Sequence, residues 1–225
     1  TSEKTIAILL EAVQGEGGIW PAKKEFIQGV RQWCDEKNLV MICDEVQAGM
    51  GRTGKFFSWE NFDVVPDIVT MAKGLAGGVP IGAMLTGPRT DVFVTGDHGT
   101  TFGGNPIACA AGIATIRTIL DEKLMDNALK MGEYWNNKLN SFCEKYEFLD
   151  SPRGLGLMRA INVKQDLAAV IVQQALEHGL LLNNLGTTTL RMIPPLTLKK
   201  KDIDEATERL GKALEDVARM PVASA

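Results

Sequence analysis

The chain has 225 residues, of which 45% are hydrophobic and 23% are charged. This composition excludes a disordered or fibrous protein and fits one or two globular domains. The formal net charge is −4 and the longest basic run is Lys199-Lys200-Lys201, so we expect no nucleic-acid partner. No stretch approaches the roughly 18 apolar residues of a membrane-spanning helix, so we expect no membrane partner either.

Cysteine and histidine usage narrows the chemistry further. The four cysteines, at positions 34, 43, 109 and 143, form no CxxC pair, which predicts free thiols in a reducing compartment such as the cytoplasm. The chain has two histidines, at positions 98 and 178. So few histidines argue against a histidine-based metal site and against a Ser-His-Asp triad, and we expect no metal.

The first half of the chain alternates strand-like and helix-like segments. Residues 5–10, 39–43 and 68–71 are apolar runs typical of strands covered on both faces, and residues 81–85 are a fourth candidate. Pro21 predicts the start of a helix between the first two strands. The predicted buried stripe of that helix consists of Phe26, Ile27, Val30, Trp33 and Cys34. This alternation predicts an α/β domain with a mainly parallel sheet.

The pattern changes near Asp121, where we predict the start of a second domain. Asn105 and Pro106 predict the N-cap and first position of the helix before it. An amphipathic stripe then predicts a helix with Leu124, Ala128, Met131, Trp135, Leu139 and Phe142 on one face. Short strands are predicted near residues 147–149, 157–163, 180–183 and 189–193, with helices near residues 166–178 and 202–220. Asp202 is the predicted N-cap of the last helix, and residues 221–225 are predicted to fray.

Two ionisable side chains lie at the carboxyl ends of predicted strands of the first domain. Asp44 comes after the strand at residues 39–43, and Lys73 after the strand at residues 68–71. Ligands of open α/β sheets bind at the carboxyl ends of the strands. Burial there would lower the pKa of a lysine and favour the neutral amine, which can attack a carbonyl to form an imine. The plainer interpretation is a surface lysine after a strand.

Glycine-rich segments accompany Lys73. Gly74 and the glycines of residues 77–82 would let the backbone approach a ligand closely. Residues 100–105 form another glycine-bearing turn directly before a helix. Free N–H groups, the helix dipole and a threonine hydroxyl at this turn suit a phosphate. The alternative is a plain helix-capping loop.

Residues 49–54 match the GxGxxG pattern of dinucleotide-binding proteins. The match is weak because five residues separate it from the preceding strand and Pro66 soon interrupts the segment after it. A nicotinamide-dependent oxidoreductase is therefore the poorer interpretation. A cofactor with an aldehyde, a ring nitrogen and a phosphate would use Lys73, Asp44 and the glycine-rich turns together, and pyridoxal 5′-phosphate (PLP) is such a cofactor.

Several motifs in series resemble the class III aminotransferases, which are fold-type I PLP enzymes, and most of all their acetylornithine type. They lie at residues 10–18, 43–47, 49–54, 71–75, 77–83, 99–106 and 190–196. The resemblance implies the rear part of a PLP-binding large domain, residues 1–121, and a C-terminal small domain, residues 122–225. Family chains are longer at the N-terminus. The portion without a counterpart here normally supplies a phosphate loop, an aromatic residue on the pyridine ring and an arginine for the second carboxylate.

The resemblance also implies cofactor-binding roles for five residues. Lys73 would bind PLP covalently and move the proton between the substrate Cα and cofactor C4′, and Asp44 would bind the protonated ring nitrogen. Gln47 would hydrogen-bond the phenolic oxygen, and Val46 would pack on one face of the ring or simply belong to the core. Thr101 would bind the phosphate, usually in the partner subunit's site, because the family forms homodimers.

Arg191 and Glu16 are the implied substrate-binding residues. Arg191 would hold a substrate carboxylate, and Glu16 would pair with it until glutamate or 2-oxoglutarate enters. The alternative is a fixed salt bridge between the two domains. The implied reaction, of the arginine-biosynthesis type, is ping-pong transamination of N-acetylornithine with 2-oxoglutarate through pyridoxamine phosphate. Ornithine, succinylornithine and 4-aminobutyrate remain open as donors. A hypothesis of another class is a stable, non-catalytic fragment that lacks the N-terminal part of the active site.

Overall fold

Two sheets organise the chain, one in each of two units. The computed structural model describes residues 1–220, so the fraying predicted for residues 221–225 lies outside the described part of the chain. The first unit comprises Thr1–Gly15 and Pro21–Met125, and the second comprises Glu16–Trp20 and the residues from Asp126 onward. The short segment Glu16–Trp20 therefore belongs to the second unit, although its chain neighbours on both sides belong to the first.

The sheet of the first unit is mainly parallel, as predicted. Its strands are β1 (Ala7–Leu10), β2 (Val40–Asp44), β3 (Ile68–Met71) and β4 (Ala83–Thr86), in the order β1-β2-β3-β4. Strands β1, β2 and β3 run parallel, and β4 runs antiparallel to β3. A parallel pair needs a crossover connection, which the helix α1 (Lys24–Lys37) supplies between β1 and β2.

Helix α1 differs from its prediction at its start and along its buried face. The chain is still extended at Pro21, which pairs with Val13 in a β-bridge, so the helix begins three residues later, at Lys24. Ile27 and Cys34 are buried, whereas Phe26 and Trp33 are 60% and 41% exposed. Each exposed aromatic residue precedes a buried residue by one position, which turns it about 100° away from the buried line of the helix.

Asp67 joins helix α1 to the start of strand β3. One carboxylate oxygen accepts hydrogen bonds from the Met41 backbone N–H at 2.7 Å and from the Arg31 guanidinium at 3.0 Å. Arg89 lies 3.6 Å from the other oxygen. These contacts hold the pKa of the Asp67 carboxyl below its usual value despite its partial burial. The charge cluster lies at the amino end of β3, because Asp67 directly precedes that strand.

The second unit is an antiparallel sheet covered by helices, as the predicted α+β fold requires. Its strands are β5 (Leu149–Leu155), β6 (Met158–Val163), β7 (Asn183–Leu185) and β8 (Thr189–Met192), in the order β5-β6-β8-β7. Helix α2 (Pro106–Asp121) belongs to the first unit. Helix α3 (Leu124–Lys145) starts there and continues into the second, which also contains α4 (Ala168–Glu177) and α5 (Lys200–Arg219). The core of the second unit includes Trp135, Leu139, Leu157, Ile161, Ile171, Leu190, Ile203 and Leu214.

No helix in residues 1–220 is both long and apolar enough to cross a membrane.

Asp202 is not the N-cap of the last helix, so that prediction is wrong. Helix α5 begins at Lys200, and Asp202 lies in its first turn. Its carboxylate accepts a hydrogen bond of 2.8 Å from the Lys199 backbone N–H. An acid in the first turn satisfies an unpaired N–H as well as a capping side chain does, so the same signal fits both positions.

Helix α3 packs unusually close to the turn between β5 and β6. A Cβ added at Gly132 would lie 2.0 Å from the carbonyl oxygen of Gly156. The obstruction is backbone, which has no rotamer through which it could withdraw. Gly132 is therefore required by the packing of α3 on this turn.

We expect Gly132→Ala to lower the free energy of unfolding of the chain by about 2 kcal/mol or more, because the helix must move off the turn. Gly29→Ala is the matched control, since Gly29 also lies inside a helix but has nothing within 4 Å of its added Cβ. Helix propensity predicts that Gly29→Ala stabilises by up to about 1 kcal/mol. Urea unfolding followed by circular dichroism measures both, and equal effects would contradict the packing argument.

Candidate active site

The parallel register of β2 and β3 places Asp44 at the carboxyl edge of the first sheet. Asp44 is the last residue of β2 and pairs with Thr70 of β3. Three residues after Thr70 the chain reaches Lys73, just beyond the end of β3. The acid and the amine predicted from the sequence therefore lie at the ends of adjacent parallel strands, at the edge where open α/β sheets bind ligands.

The carboxylate of Asp44 is oriented through one of its two oxygens. Its Oδ1 accepts a hydrogen bond of 2.9 Å from the Val46 backbone N–H and one of 3.4 Å from the Thr70 hydroxyl. The first of these is a local turn that aspartate commonly forms with the residue two positions on. Both bonds go to Oδ1, so the orientation of the carboxylate is fixed while Oδ2 is left for a ligand.

Lys73 has a strained backbone and an exposed side chain. Its φ is +44°, in the left-handed region that costs a non-glycine residue on the order of 1–3 kcal/mol and that is concentrated at functional sites. The side chain is exposed, which differs from the burial expected at the sheet edge. The difference arises because the chain leaves the sheet after Met71, and Lys73 begins a short 3₁₀ helix, Lys73–Ala76.

Gln47 lies directly against the backbone of Gly15. A Cβ at Gly15 would come within 2.4 Å of the Gln47 side-chain amide, so a larger residue there would push the end of the Gln47 side chain aside. The Gly15 N–H donates to both carboxylate oxygens of Glu11, at 3.1 Å each. The amide of Gln47 and the loop after β1 are therefore packed together, while Val46 and Gln47 are themselves half-buried.

Glu45 is a buried acid that the sequence did not reveal as a candidate. It is 1% exposed and accepts hydrogen bonds from the Ser58 hydroxyl at 2.6 Å, the Ser58 N–H at 2.7 Å and the Trp59 N–H at 3.2 Å. Burial raises its pKa to about 7, against the opposing effect of these donors. Glu45 thus ties the loop after Asp44 to residues 58–59. Only its position after a buried strand could have drawn attention to it.

The segment with the GxGxxG pattern supports this same loop and does not open a helix. Turn hydrogen bonds run from Arg52 N–H to the Gly49 carbonyl at 3.4 Å and from Gly54 N–H to the Gly51 carbonyl at 3.1 Å. A Cβ at Gly49 would lie 2.8 Å from the carbonyl oxygen of Glu45. The next helical element is a short 3₁₀ helix, Ser58–Phe62. The arrangement of a dinucleotide-binding turn, with glycines opening an α-helix, is absent from this described segment.

Thr101 lies in an exposed turn before helix α2. Asn105 is the N-cap of that helix, with its side-chain oxygen accepting from the Ala108 N–H at 3.0 Å, and Pro106 is the first helical residue. Both assignments confirm the sequence prediction. The asparagine occupies one of the N–H groups that a phosphate would otherwise use. The turn before α2 therefore caps this helix. The Thr101 side chain is exposed to solvent.

Arg191 and Glu16 form an ion pair within the second unit. The Arg191 guanidinium donates to the Glu16 carboxylate at 2.6 Å and to the Asn183 side-chain oxygen at 2.8 Å. Asn183 was not anticipated from the sequence, and it faces Arg191 in the register of β7 and β8. Glu16 belongs to the second unit, so this ion pair lies within one unit, and the exchange of Glu16 for a substrate carboxylate stays a prediction. Glu16 is 67% exposed and Arg191 is 18% exposed, so the pair is open to solvent on the acid side.

Comparison with known proteins identifies the family. The family model "Aminotransferase class-III" matches residues 1–214. The chain belongs to the class III aminotransferases. The chain is 45% identical over 215 residues to the acetylornithine aminotransferase of Caldanaerobacter subterraneus subsp. tengcongensis. The aligned residues make up 96% of this chain and 55% of the relative. The chain therefore spans about half the length of the curated relatives that it matches.

Solved structures of the same family share the fold. The acetylornithine aminotransferase of Elizabethkingia anophelis superposes with a TM-score of 0.88 at 33% identity, over 93% of this chain and 56% of that one. The ornithine aminotransferase of Toxoplasma gondii gives 0.89 at 33% identity, over 94% and 51%, and its active site holds PLP at partial occupancy. Class III aminotransferases are PLP enzymes, and the groups at the sheet edge suit this cofactor: an exposed amine, a carboxylate with one oxygen left for a ligand, and a side-chain amide.

The cysteines are free, as predicted. Cys34 and Cys43 are buried, Cys143 is half-buried and Cys109 is exposed. Burial raises the pKa of the Cys43 thiol to about 12, so this residue next to Asp44 is protonated at neutral pH. It acts as a small apolar residue of β2.

We expect Glu45 to destabilise the chain as the pH rises from about 4.5 to about 7. The folded-state pKa of Glu45, about 7, lies above the ordinary value of 4.5. The stabilising effect of the protonated carboxyl is therefore complete below pH 4.5 and is lost as the pH rises to about 7. The loss approaches about 3 kcal/mol. Glu45→Gln removes this dependence, although it also removes a hydrogen bond at all pH values.

The measurement is urea unfolding of both proteins between pH 4 and pH 8. The quantity of interest is the difference between the two free energies at each pH, which cancels the titration of other groups. Glu3→Gln, at an exposed position, is the control. Parallel profiles for Glu45→Gln and the unmodified chain would show that Glu45 titrates normally.

Proposed function

We propose that this chain belongs to an enzyme that transfers the amino group of N-acetylornithine to 2-oxoglutarate with PLP in a ping-pong reaction. The observation that carries the proposal is the position of Asp44 and Lys73 at the carboxyl ends of adjacent parallel strands. Bound PLP would supply an aldehyde that accepts the amino group and a ring that withdraws electrons. Family membership supports the same chemistry.

Asp44 would hold the ring nitrogen in its protonated form. Its Oδ1 is already occupied by Val46 N–H and the Thr70 hydroxyl, so Oδ2 would receive the N–H of the ring. A carboxylate whose orientation is fixed beforehand loses little freedom on binding. The charge of Asp44 would keep the proton on the ring nitrogen throughout the reaction.

Lys73 would bind the cofactor through its amine and then move a proton to and from the substrate Cα. Its exposed side chain and strained backbone at the sheet edge suit a residue that must change partners during the reaction. Gln47 would donate a hydrogen bond to the phenolic oxygen of the cofactor, and Val46 would pack on one face of the ring. The Thr101 hydroxyl would bind the phosphate, in the partner subunit's site if the chain forms a homodimer like its family.

Arg191 would bind a carboxylate of glutamate or 2-oxoglutarate, with Glu16 as a removable mask. Asn183 fixes the guanidinium from the neighbouring strand, so the arginine is held ready for a bidentate contact. An ion pair with an exposed partner contributes only about 0–1 kcal/mol. The dicarboxylate could therefore displace Glu16 at little cost, whereas the mask would keep Arg191 paired between the two halves of the reaction.

The choice of donor rests on the relatives. Curated relatives with the name acetylornithine aminotransferase reach 46% identity. The solved structures do not separate the two types, because they reach 36% for acetylornithine and 35% for ornithine aminotransferases. N-acetylornithine is therefore favoured over ornithine, succinylornithine and 4-aminobutyrate. A donor panel in which N-acetylornithine is among the poorest substrates would remove this choice and leave the aminotransferase proposal standing.

A second proposal, of another class, has its own observation. The chain covers 51% to 55% of the length of the curated relatives that it matches. In this proposal it is a non-catalytic fragment, which folds and self-associates but lacks turnover. Cofactor binding and turnover therefore need separate measurements.

Lys73→Ala should weaken PLP binding at least about tenfold, equivalent to about 1.4 kcal/mol. The measurement is a near-ultraviolet and visible absorbance titration of the chain with PLP. Since PLP also reacts with surface lysines, Lys55→Ala, at another exposed lysine of the first unit, is the control and should retain the band of the unmodified chain.

A Lys73-dependent band that shifts on addition of glutamate supports the aminotransferase proposal. The same band without release of 2-oxoglutarate supports the fragment. Equal titrations for Lys73→Ala and Lys55→Ala would refute the role of Lys73.

Glu16→Gln should strengthen the binding of a dicarboxylate to the chain by up to about fivefold, because it removes a competitor worth about 0–1 kcal/mol. Isothermal titration calorimetry with glutarate, a dicarboxylate that cannot be transaminated, measures the change without requiring turnover. Glu3→Gln is again the control. Unchanged glutarate affinity in Glu16→Gln would show that Glu16 does not mask Arg191.

A further inference from the structure

The segment Glu16–Trp20 has no helix or strand of its own to hold it in the second unit. It joins residues of the first unit at both ends, and its conformation is a series of turns. The position of Glu16 beside Arg191 therefore depends on side-chain contacts between this segment and the second sheet.

Arg153 of β5 supplies two of these contacts. Its Nε donates a hydrogen bond of 2.8 Å to the carbonyl oxygen of Gly18. Its guanidinium carbon also lies 3.9 Å from the centre of the Trp20 ring, within the range of a cation–π interaction. The Arg153 side chain thus contacts the segment at two residues, Gly18 and Trp20, which are close in sequence to Glu16.

The guanidinium of Arg153 is itself held by the sheet. It donates to the side-chain oxygen of Asn162 on β6 at 2.6 Å and contacts the hydroxyl of Thr189 on β8 at 3.5 Å. Asn162 and Thr189 face each other in the register of these two strands. Arg153 therefore connects the turn segment to three strands of the second sheet, namely its own β5 and, through side-chain contacts, β6 and β8.

The segment also carries backbone strain. Gly18 has φ of +113° and Ile19 has φ of +57°, which is a rare conformation for a β-branched residue. The Ile19 side chain is fully buried, so it too anchors the segment. A strained turn persists only where its surroundings hold it, and Arg153, Trp20 and Ile19 provide that hold.

We propose that Arg153, stacked on Trp20, is a positioning residue that holds Glu16 over Arg191 and so sets the competition between Glu16 and an incoming dicarboxylate. This inference rests on the proposed function, in which Glu16 masks Arg191. Arg153 acts only through the backbone of Gly18 and the ring of Trp20.

The test compares Arg153→Met, Glu16→Gln and the double variant for glutarate binding by calorimetry. Arg153→Met keeps a flexible side chain of similar length but removes the cation and all its donors. It should strengthen glutarate binding about two- to fivefold, as Glu16→Gln does. The double variant should show no further gain, because both changes remove the same mask.

A second measurement reports on the segment without any ligand. Acrylamide quenching of Trp20 fluorescence, obtained by subtracting the signal of Trp20→Phe, should increase in Arg153→Met and stay unchanged in Glu16→Gln. Trp20→Phe keeps an aromatic face for Arg153 and should bind glutarate like the unmodified chain, whereas Trp20→Ala should behave like Arg153→Met. Trp20 is 49% exposed, so Trp20→Ala tests the proposal even if Arg153→Met fails to fold.

The outcomes separate the two proposals. If Glu16→Gln strengthens glutarate binding but Arg153→Met and Trp20→Ala do not, the positioning role is overturned and the mask survives. An additive gain in the double variant overturns the positioning role as well. If Glu16→Gln itself has no effect, the mask fails, and the positioning role fails with it.

Discussion

The pairing of β2 with β3 sets the geometry on which the candidate site depends. Asp44 lies opposite Thr70 in a parallel register. The Thr70 carbonyl accepts the Glu45 N–H at 2.9 Å, and its hydroxyl reaches Asp44. Thr70 of β3 thus orients the Asp44 carboxylate of β2, and Lys73 follows Thr70 by three residues. If β2 slipped by one residue in this register, the Asp44 side chain would turn to the opposite face of the sheet, away from Thr70.

Close backbone approaches complete the arrangement around that edge. Gly15 makes room for the Gln47 amide, and Gly49 makes room for Glu45. At both positions even a methyl group would overlap a neighbour. Gly49, the first glycine of the motif at residues 49–54, therefore lets this loop pack against a buried acid. A sequence match to a dinucleotide-binding pattern can therefore occur in a loop that needs a glycine only for close packing.

The sequence was sufficient for those features that depend on local patterns. Apolar runs identified β2 and β3, and the residues directly after them were found for the same reason. Asn105 and Pro106 were recognised because a cap is a local event. The aromatic residues of α1 were misassigned because apolar residues on a helix flank look like core in one dimension. Phe26 and Trp33 lie just off the buried line.

Other features depend on pairings between distant parts of the chain. Asn183 contacts Arg191 only because β7 and β8 pair in one register. Arg153 reaches Gly18 across 135 positions of sequence. The position of Glu45 after a buried strand did not show that donors from residues 58–59 would surround it. None of these contacts has a spacing that a sequence pattern could reveal, since each requires the fold first.

Strand β3 separates the candidate site from the Asp67 ion cluster in the first unit, because the two lie at its opposite ends. The connection from β3 to β4, which includes Gly77 and Gly78, leaves from the edge where Lys73 lies. The chain then returns to the opposite edge, where Gly87 N–H and the Thr90 hydroxyl bond the carbonyl of Asp67. The Asp67 ion cluster therefore lies at the far end of the strand that delivers the lysine. Substitutions around Asp67 could therefore change the stability of this sheet without altering the side chains of the candidate site at its other edge.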